Sequence, residues 1–279
     1  MRTIRKSDIF DAVKDACISI QNRYSPKMEE ALNKAIDKET GVAKSILQVL
    51  MENSELASIS GLPMCQDTGM IVVWAQLGHQ VVLENPLEDV INEAVKEAYE
   101  IAYLRKSVVK DPLFDRVNTK DNTPAVIHVD VVEGDQLVLH VAAKGFGSEN
   151  MSTLKMLTPA DGIEGARKFI VDTVSVAGPN ACPPMVIGVG VGGTMDQAAW
   201  LAKRSLFREI GERNKNPKYA NFEVELLNEI NTLGIGPQGL GGKTTALEVF
   251  VEYFPTHIAA LPVAVNIQCH MTRHHKVVL

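Results

Sequence analysis

The chain has 279 residues and a mass of 30.5 kDa, with 46% hydrophobic and 22% charged residues, a composition ordinary for a globular protein with a large core. Its formal net charge of -6 argues against nucleic acid as a partner, and no apolar run is long enough to predict a membrane span. The N-terminus lacks the apolar stretch of a secretory signal, and the cysteines have no close spacing, so we expect a cytoplasmic protein without a disulfide framework.

The first sixty residues predict helices. Apolar residues recur on one helical face between Ile9 and Ile20, and Ser7 is a candidate N-cap for that helix. Cys17 lies on this apolar stripe and is interpreted as a small core residue. Ser25-Pro26 predicts the start of a second helix, with the proline at its first position.

The rest of the chain predicts a mixture of helices and strands. Residues 124–132 alternate between apolar and polar, Gly134-Asp135 supplies a turn, and 136–142 returns, which predicts a β-hairpin. We therefore expect one α+β domain over residues 1–279, helical in about 1–60 and mixed in 61–279, with a mixed, partly antiparallel sheet and surrounding helices. Further helices are predicted at 41–53, 87–105, 163–176, 194–207 and 220–233, and further strands at 71–75, 248–253 and 261–267.

Two glycine-rich segments resemble nucleotide-binding motifs but lack their context. Gly188–Gly193 matches G-x-G-x-x-G, yet no acidic residue ends a following strand, so close backbone packing is favoured over nucleotide binding. Gly241–Thr245 resembles the end of a P-loop, but Pro237 stands where the first glycine is required and no apolar strand precedes it. The glycines of 234–242 are interpreted as allowing the backbone to approach a ligand or cluster closely.

Three cysteines lie in segments that read as loops. Cys65, Cys182 and Cys269 are flanked by glycine, proline or polar residues rather than by a periodic apolar face. Three thiolates can hold three corners of a four-iron, four-sulfur cluster and leave the fourth iron open as a Lewis acid. Buried structural thiols are one alternative. Zinc bound by Cys269 and nearby histidines is another alternative. Structural zinc sites usually have paired C-x2-4-C ligands, which are absent here, so spacing alone favours an iron–sulfur cluster only modestly over zinc.

Two other segments carry possible anion-binding groups. Residues 145–150 predict a helix start, whose backbone N–H groups would favour an anion, although a helix simply capped by Ser148 explains the pattern equally well. Arg105-Lys106 ends the predicted long helix, where surface charge that complements the helix dipole is the simpler interpretation.

Taken together, several of these motifs resemble the class I, iron–sulfur fumarate hydratases and their relative L-tartrate dehydratase. The resemblance covers nearly the whole chain but only the α part of that family, and it is specific because several long motifs agree in order. The matching segments are Cys65–Gly69, Asp121–Ala125, Lys144–Asn150, Gly236–Thr245 and Asn266–His270.

The resemblance implies a [4Fe-4S] cluster held by Cys65, Cys182 and Cys269 and reversible hydration of fumarate to L-malate. It implies that Gln66 and Asp67 contact the substrate, with Asp67 as the candidate acid that protonates the departing hydroxyl. It further implies that Arg105 binds a substrate carboxylate and that the backbone at Gly147 approaches the substrate. Relatives commonly have a glycine where this chain has Phe146, so the approach at Gly147 is expected to differ. An open cluster iron also predicts loss of activity in air.

The resemblance has consequences for partners as well. Single-chain family members continue into a second domain, whereas this chain ends ten residues after Cys269, so we expect a separate β subunit that completes the active site. Paired α and β subunits, α2β2, are the expected assembly, and the α chain alone should hydrate fumarate negligibly. L-tartrate is the alternative substrate. A non-catalytic iron–sulfur or zinc protein that acts as a sensor or scaffold is the alternative of another class.

Overall fold

The computed structural model describes all residues, 1–279, which form two compact units. The first unit comprises Met1–Arg23, Asn53–Phe146 and Arg273–Leu279, and the second comprises Tyr24–Glu52 and Gly147–Thr272. The helices are α1 Lys6–Asn22, α2 Pro26–Lys38, α3 Gly41–Ser60, α4 Leu87–Ile101, α5 Phe146–Glu149, α6 Gly162–Ala177, α7 Met195–Ser205 and α8 Pro217–Asn231. The strands are β1 Arg2–Ile4, β2 Met70–Gly78, β3 Val81–Leu83, β4 Val126–Val132, β5 Leu137–Lys144, β6 Thr153–Leu157, β7 Met185–Gly192, β8 Ala246–Phe254, β9 Leu261–Gln268 and β10 His274–Val278.

The first unit is a four-stranded mixed sheet covered on one face by α1 and α4. Its strand order is β10-β5-β2-β4, with β5 antiparallel and β4 parallel to β2, and β1 pairs with β3 in a small separate sheet. Alternate residues of the central strands, such as Val73 and Leu139, are fully buried against the apolar faces of the two helices. This core is the expected outcome of burying one face of a sheet under two amphipathic helices.

The second unit is a sheet with helices on both faces. Its strand order is β6-β9-β7-β8, in which β8 is parallel and β9 antiparallel to β7. Alternate β7 residues such as Ile187 and Val189 pack in the core formed with α6 and α8. The glycines between them face α7, where a Cβ on Gly190 would lie 2.0 Å from the Ala198 carbonyl oxygen and one on Gly188 2.1 Å from that of Ala202. Both glycines are therefore required for close helix–sheet packing, as predicted for this segment.

The observed elements confirm the predicted α+β class with its mixed, partly antiparallel sheets. The start of α2 is also confirmed, because Ser25 Oγ accepts a hydrogen bond from the Met28 N–H at 3.3 Å and Pro26 is the first helical residue. The helix predicted from 41 continues to Ser60. The single-domain description of the whole chain stays a prediction.

The predicted β-hairpin is wrong. β4 and β5 do not pair with each other, because β2 lies between them and hydrogen-bonds to both. The connection at 133–136 instead crosses the end of β2, where the Gly78 N–H donates to the Gln136 carbonyl at 2.9 Å. Alternating hydrophobicity shows that a strand has one buried face, but it does not identify the strand's neighbour.

Three helix boundaries also differ from the prediction. Arg5, not Ser7, occupies the N-cap position of α1, and the Arg5 side chain forms an ion pair with Asp8 at 2.8 Å. The helix predicted to reach Arg105 ends at Ile101, because Tyr103 adopts a left-handed conformation with φ 53°. Ser148 lies inside the short helix α5 and is not its cap.

Candidate active site

The loop between α3 and β2 carries Cys65, Gln66 and Asp67 in succession. Cys65 is partly exposed and Gln66 is exposed, so their side chains are accessible to solvent. The Asp67 carboxylate is held by two backbone donors: Oδ1 accepts from the Gly69 N–H at 3.0 Å, and Oδ2 accepts from the Phe146 N–H at 2.8 Å. The N–H group at the start of α5, considered above as an anion site, thus binds a carboxylate of the protein itself.

The three peptide carbonyls that follow also have buried donors. Arg273 Nη1 donates to the Asp67 carbonyl at 2.6 Å, and Gln21 Nε2 donates to the Thr68 carbonyl at 2.8 Å. The Tyr99 hydroxyl donates to the carbonyls of Thr68 at 2.9 Å and Gly69 at 3.0 Å. Asn122 Nδ2 also donates to the Gly69 carbonyl at 3.1 Å. The turn 67–69 is thereby fixed by side chains from separate parts of the first unit.

Arg105 is placed next to this turn by its backbone. Thr68 Oγ1 donates to the Arg105 carbonyl at 3.0 Å, while the Arg105 side chain is exposed and has no recorded ion pair. Arg105 lies in the loop after α4, which ends at Ile101, so it does not belong to the last turn of that helix as predicted. Arg105 is available to bind an anion from solvent.

Cys182 and Cys269 lie on adjacent loops of the second unit. Cys182 ends the 3-10 helix Gly178–Ala181 in a left-handed conformation, φ 52° and ψ 65°, with an exposed side chain. Cys269 follows β9 and is partly exposed. The His270 N–H donates to the Cys182 carbonyl at 3.4 Å, which joins the two loops. Cys65 belongs to the first unit.

The glycine-rich loop 234–242 packs against the Cys182 segment. Gln238 donates to the Pro183 carbonyl through both its backbone N–H, at 2.8 Å, and its Nε2, at 2.9 Å. Gly239 packs on Pro179, since a Cβ on Gly239 would lie 2.3 Å from the Pro179 Cβ. These glycines allow close approach, as predicted, and the group that they approach is a neighbouring protein loop.

Gly147 lies in α5 and is exposed. A Cβ on Gly147 would lie 3.5 Å from the Asn180 carbonyl, which is ordinary van der Waals contact, so packing does not require glycine here. The adjacent Phe146 side chain is 45% exposed, which places an apolar ring in solvent beside this backbone.

The fourth cysteine differs from the other three. Cys17 is fully buried in the core under the first sheet, and burial raises the pKa of its thiol to about 12. This thiol is unsuited to bind a metal, because the ligand form is the thiolate. The interpretation of Cys17 as a core residue is confirmed.

The donor set fits an iron–sulfur cluster by its chemistry. Cys65, Cys182 and Cys269 are all free thiols with some exposure, and none is in a disulfide. No group of three or more His, Cys, Asp or Glu side chains is placed to hold a single metal ion, which applies to the three cysteines and to the histidines near Cys269 alike. A cubane differs in that each cysteine binds its own iron. The three-cysteine cluster stays a prediction.

Several residues of the site were missed by sequence reasoning. Arg273, Gln21 and Tyr99 were not singled out, and Asn122 was included only as part of the matching segment Asp121–Ala125. One signal existed: Gln21 is a polar residue four positions after Cys17 on the apolar face of α1, and a polar group there needs a buried partner. Nothing in the sequence indicated Tyr99 or Arg273.

The folded chain thus presents thiol, carboxylate and guanidinium groups on loops, where the binding and catalytic residues of proteins are concentrated. Residues 10–278 match the family model described as "Fumarate hydratase (Fumerase)". The chain therefore belongs to this family of hydro-lyases, as the motif resemblance indicated. No helix is both long and apolar enough to cross a membrane.

Similar proteins carry a more specific name. The chain is 43% identical over 272 residues to the "Putative L(+)-tartrate dehydratase subunit alpha" of Methanocaldococcus jannaschii, covering 95% of this chain and 94% of that protein. It is 34% identical over 266 residues to the "L(+)-tartrate dehydratase subunit alpha" of Escherichia coli K12, covering 94% and 87% of the two chains.

Proposed function

We propose that this chain is the α subunit of an iron–sulfur hydro-lyase that reversibly hydrates fumarate to L-malate. The observation that carries the proposal is the single loop on which an accessible cysteine, an exposed carboxamide and an oriented carboxylate follow one another, at Cys65, Gln66 and Asp67. The match to the fumarate hydratase family supports the reaction type.

Cys65, Cys182 and Cys269 would hold a [4Fe-4S] cluster. When bound, the cluster would supply a Lewis-acidic iron that polarises the C–O bond of the hydroxy acid. The chain's own contribution is to keep these thiols free and accessible, which the buried Cys17 is not.

Arg105 would bind one substrate carboxylate, since its exposed planar guanidinium can engage both oxygens. Gln66 would donate or accept a hydrogen bond from the same loop, and the backbone at Gly147 would line the substrate from α5. Asp67 would deliver the proton to the departing hydroxyl. Each of its oxygens accepts one amide N–H group, and a carboxyl oxygen that carries a proton can still accept through its remaining lone pair, so these contacts are compatible with Asp67 holding the proton.

L-tartrate is the second candidate substrate. The relatives named above are L(+)-tartrate dehydratases by their printed names, and they cover nearly the whole chain. Tartrate and malate are both dicarboxylic hydroxy acids, so the same polarised C–O bond and the same arginine serve either. The residues described here do not favour one over the other.

A separate β subunit would complete the site, in an assembly with paired α and β subunits. This proposal is supported by the "subunit alpha" names of the relatives, which imply a further subunit in those proteins. The isolated α chain is then expected to bind the cluster without appreciable turnover.

Cysteine substitutions test the cluster. Cys65→Ser, Cys182→Ser and Cys269→Ser, purified and reconstituted without oxygen, should each lose the iron, the sulfide and the broad brown absorbance of the parent chain. Cys17→Ala is the matched control and should retain them. Wild-type iron content in all three serine variants, or a colourless zinc-containing parent, would contradict the proposal.

The substrate is tested with the co-expressed α and β subunits under argon. Fumarate, L-malate and L-tartrate should be assayed side by side with the same preparation, and fumarate and L-malate should have the higher kcat/KM. A higher kcat/KM for L-tartrate would favour the second candidate. Absence of turnover on all three by an iron-loaded complex would remove the hydro-lyase assignment for this chain.

A further inference from the structure

Arg273 is a buried cation without a carboxylate partner. Its side chain is 2% exposed and forms no ion pair. Nη1 donates to two neutral oxygens, Gln21 Oε1 at 3.0 Å and the Asp67 carbonyl at 2.6 Å, and Nε has no hydrogen-bond partner. Burying a guanidinium is costly unless its charge is compensated, so the location of this charge calls for an explanation.

The nearest compensating group lies across Gly145. A Cβ built on Gly145 would be 3.0 Å from Arg273 Nη2 and 3.2 Å from Asp67 Oδ2. The guanidinium and the carboxylate therefore both border the space that a side chain at position 145 would take. Two opposite charges in a buried environment attract each other even without direct contact.

Arg273 and Gln21 act on the turn as one unit. Gln21 is 1% exposed, accepts from Arg273 through Oε1 and donates through Nε2 to the Thr68 carbonyl at 2.8 Å. The guanidinium thus reaches the carbonyl of Asp67 directly and that of Thr68 through Gln21. Its own backbone is anchored to β5, since the Ala143 N–H donates to the Arg273 carbonyl at 3.0 Å. Gln21 belongs to α1, and Arg273 directly precedes β10.

We propose that Arg273 is a positioning residue of the active site, which fixes the turn 67–69 and so the orientation of Gln66 and the Asp67 carboxylate. The proposal rests on the function proposed above for Gln66 and Asp67. Arg273 acts through the Asp67 carbonyl and Gln21 and does not itself contact the substrate. Fixed geometry of reacting groups matters because small displacements reduce rates strongly.

The test uses Arg273→Met, which roughly keeps the volume but removes the charge and its donors, and Arg273→Lys, which restores a charge on one ammonium group. Arg208→Met is the matched control, because Arg208 is also largely buried and donates to the buried Glu223 at 2.7 Å in the second unit. The control separates loss of a buried arginine in general from loss of this one.

Hydrogen exchange on the full-length chain is the first measurement, and it requires neither cluster nor substrate. The Gly69 and Phe146 amides, both donors to Asp67, should exchange about tenfold faster or more in Arg273→Met, with partial recovery in Arg273→Lys and no change in Arg208→Met. If Arg273→Met does not fold, Gly145→Ala replaces it, because the added Cβ would push Arg273 and Asp67 apart. Unchanged exchange at both amides in a folded variant overturns the proposal.

Kinetics of the cluster-loaded α–β complex is the second measurement. Arg273→Met should lower kcat by about 100-fold with a smaller change in KM and unchanged iron content, and Arg273→Lys should recover part of kcat. Wild-type kcat in Arg273→Met overturns the positioning role and leaves the proposed function intact. If the parent complex has no hydro-lyase activity, the proposed function fails, and the exchange measurement still decides whether Arg273 fixes the turn.

Discussion

The Tyr24 hydroxyl and His270 Nδ1 are 2.7 Å apart in a hydrogen bond between two buried side chains. His270 directly follows Cys269, and its N–H donates to the Cys182 carbonyl, so this one residue connects the start of the second unit's chain to both of its candidate cysteine loops. Tyr24, which supports these loops through His270, is 246 positions away from it in the sequence.

Tyr24→Phe should lower the free energy of unfolding by about 1–2 kcal/mol, since it removes one buried hydrogen bond and leaves its partner without this donor or acceptor. Anaerobic urea unfolding measures this change. The loosened loops should also release iron faster to a chelator in the reconstituted protein.

Tyr219→Phe is the control for this prediction. The Tyr219 ring stacks on Tyr253 with centroids 4.1 Å apart, a contact that phenylalanine retains, so stability should change little. Equal unfolding free energies for Tyr24→Phe and the parent would show that the Tyr24 hydrogen bond makes no net contribution.

Glu39 gives a second prediction, about the loop that resembled a P-loop. Glu39 is 3% exposed, and its Oε1 accepts the N–H groups of Lys243 at 2.7 Å and Thr244 at 2.6 Å. The amides that would bind a phosphate in a true P-loop are thus engaged by a carboxylate from the end of α2. The Glu39 carboxylate therefore takes the place that a bound phosphate has in a P-loop.

Glu39→Ala should cost about 2–3 kcal/mol, because one buried and one partly buried amide lose their acceptor, whereas Glu39→Gln keeps an acceptor oxygen and should cost about 1 kcal/mol. Urea unfolding compares the two variants, and limited proteolysis should show cleavage near 236–245 in Glu39→Ala only. Equal stability of the alanine and glutamine variants would mean that the acceptor oxygen is unimportant.

The features of the fold that were predicted correctly from the sequence are those determined by neighbouring residues. The start of α2 was predicted because Ser25 and Pro26 are adjacent to the helix that they begin. The pairing of β4 with β2 was not predicted, because the partner is chosen by burial across distant segments. The short strands β1, β3, β6 and β10 were missed for a different reason: three to five residues are too few to show a clear periodicity.

In the candidate site, too, the sequence indicated the residues of one short segment but not their distant partners. The residues on the loops, from Cys65 to Asp67, were identified because they are consecutive and match a family motif. The residues that hold those loops were not, because the hydrogen bond from Arg273 to the Asp67 carbonyl joins residues 206 positions apart. A contact of that kind has no local signature, and only the folded structure brings the two residues together.

Gly190 gives a third prediction, which tests the packing of β7 on α7. Gly190→Ala should destabilise the protein by about 3 kcal/mol or more, because the added Cβ would lie 2.0 Å from the Ala198 carbonyl and α7 would have to move. Val191→Ala is the control on the other side of the same strand. It removes atoms from a partly buried residue and should cost about 1 kcal/mol. Thermal unfolding at neutral pH distinguishes them, and a Gly190→Ala variant as stable as Val191→Ala would contradict tight packing of β7 on α7.

Two histidines on the first sheet predict how stability depends on pH. Burial lowers the pKa of His274 to about 4, with smaller contributions from His140 and His275. Burial, with a contribution from Lys276, also lowers the pKa of His140 to about 4. The His140 ring stacks on Trp74, with centroids 4.5 Å apart.

A depressed histidine pKa means that the unfolded chain, with a histidine pKa of about 6.5, binds protons before the folded chain does. Stability should therefore be fully present above pH about 6.5 and fall as the pH drops toward 4, by up to about 3 kcal/mol from His274 and by less from the half-exposed His140. Urea unfolding between those pH values measures the slope. His140→Phe retains an aromatic ring against Trp74 but removes one titrating group, so its slope should be shallower than that of the parent. A parent protein whose unfolding free energy does not change over this range would show that neither imidazole is kept neutral by the fold.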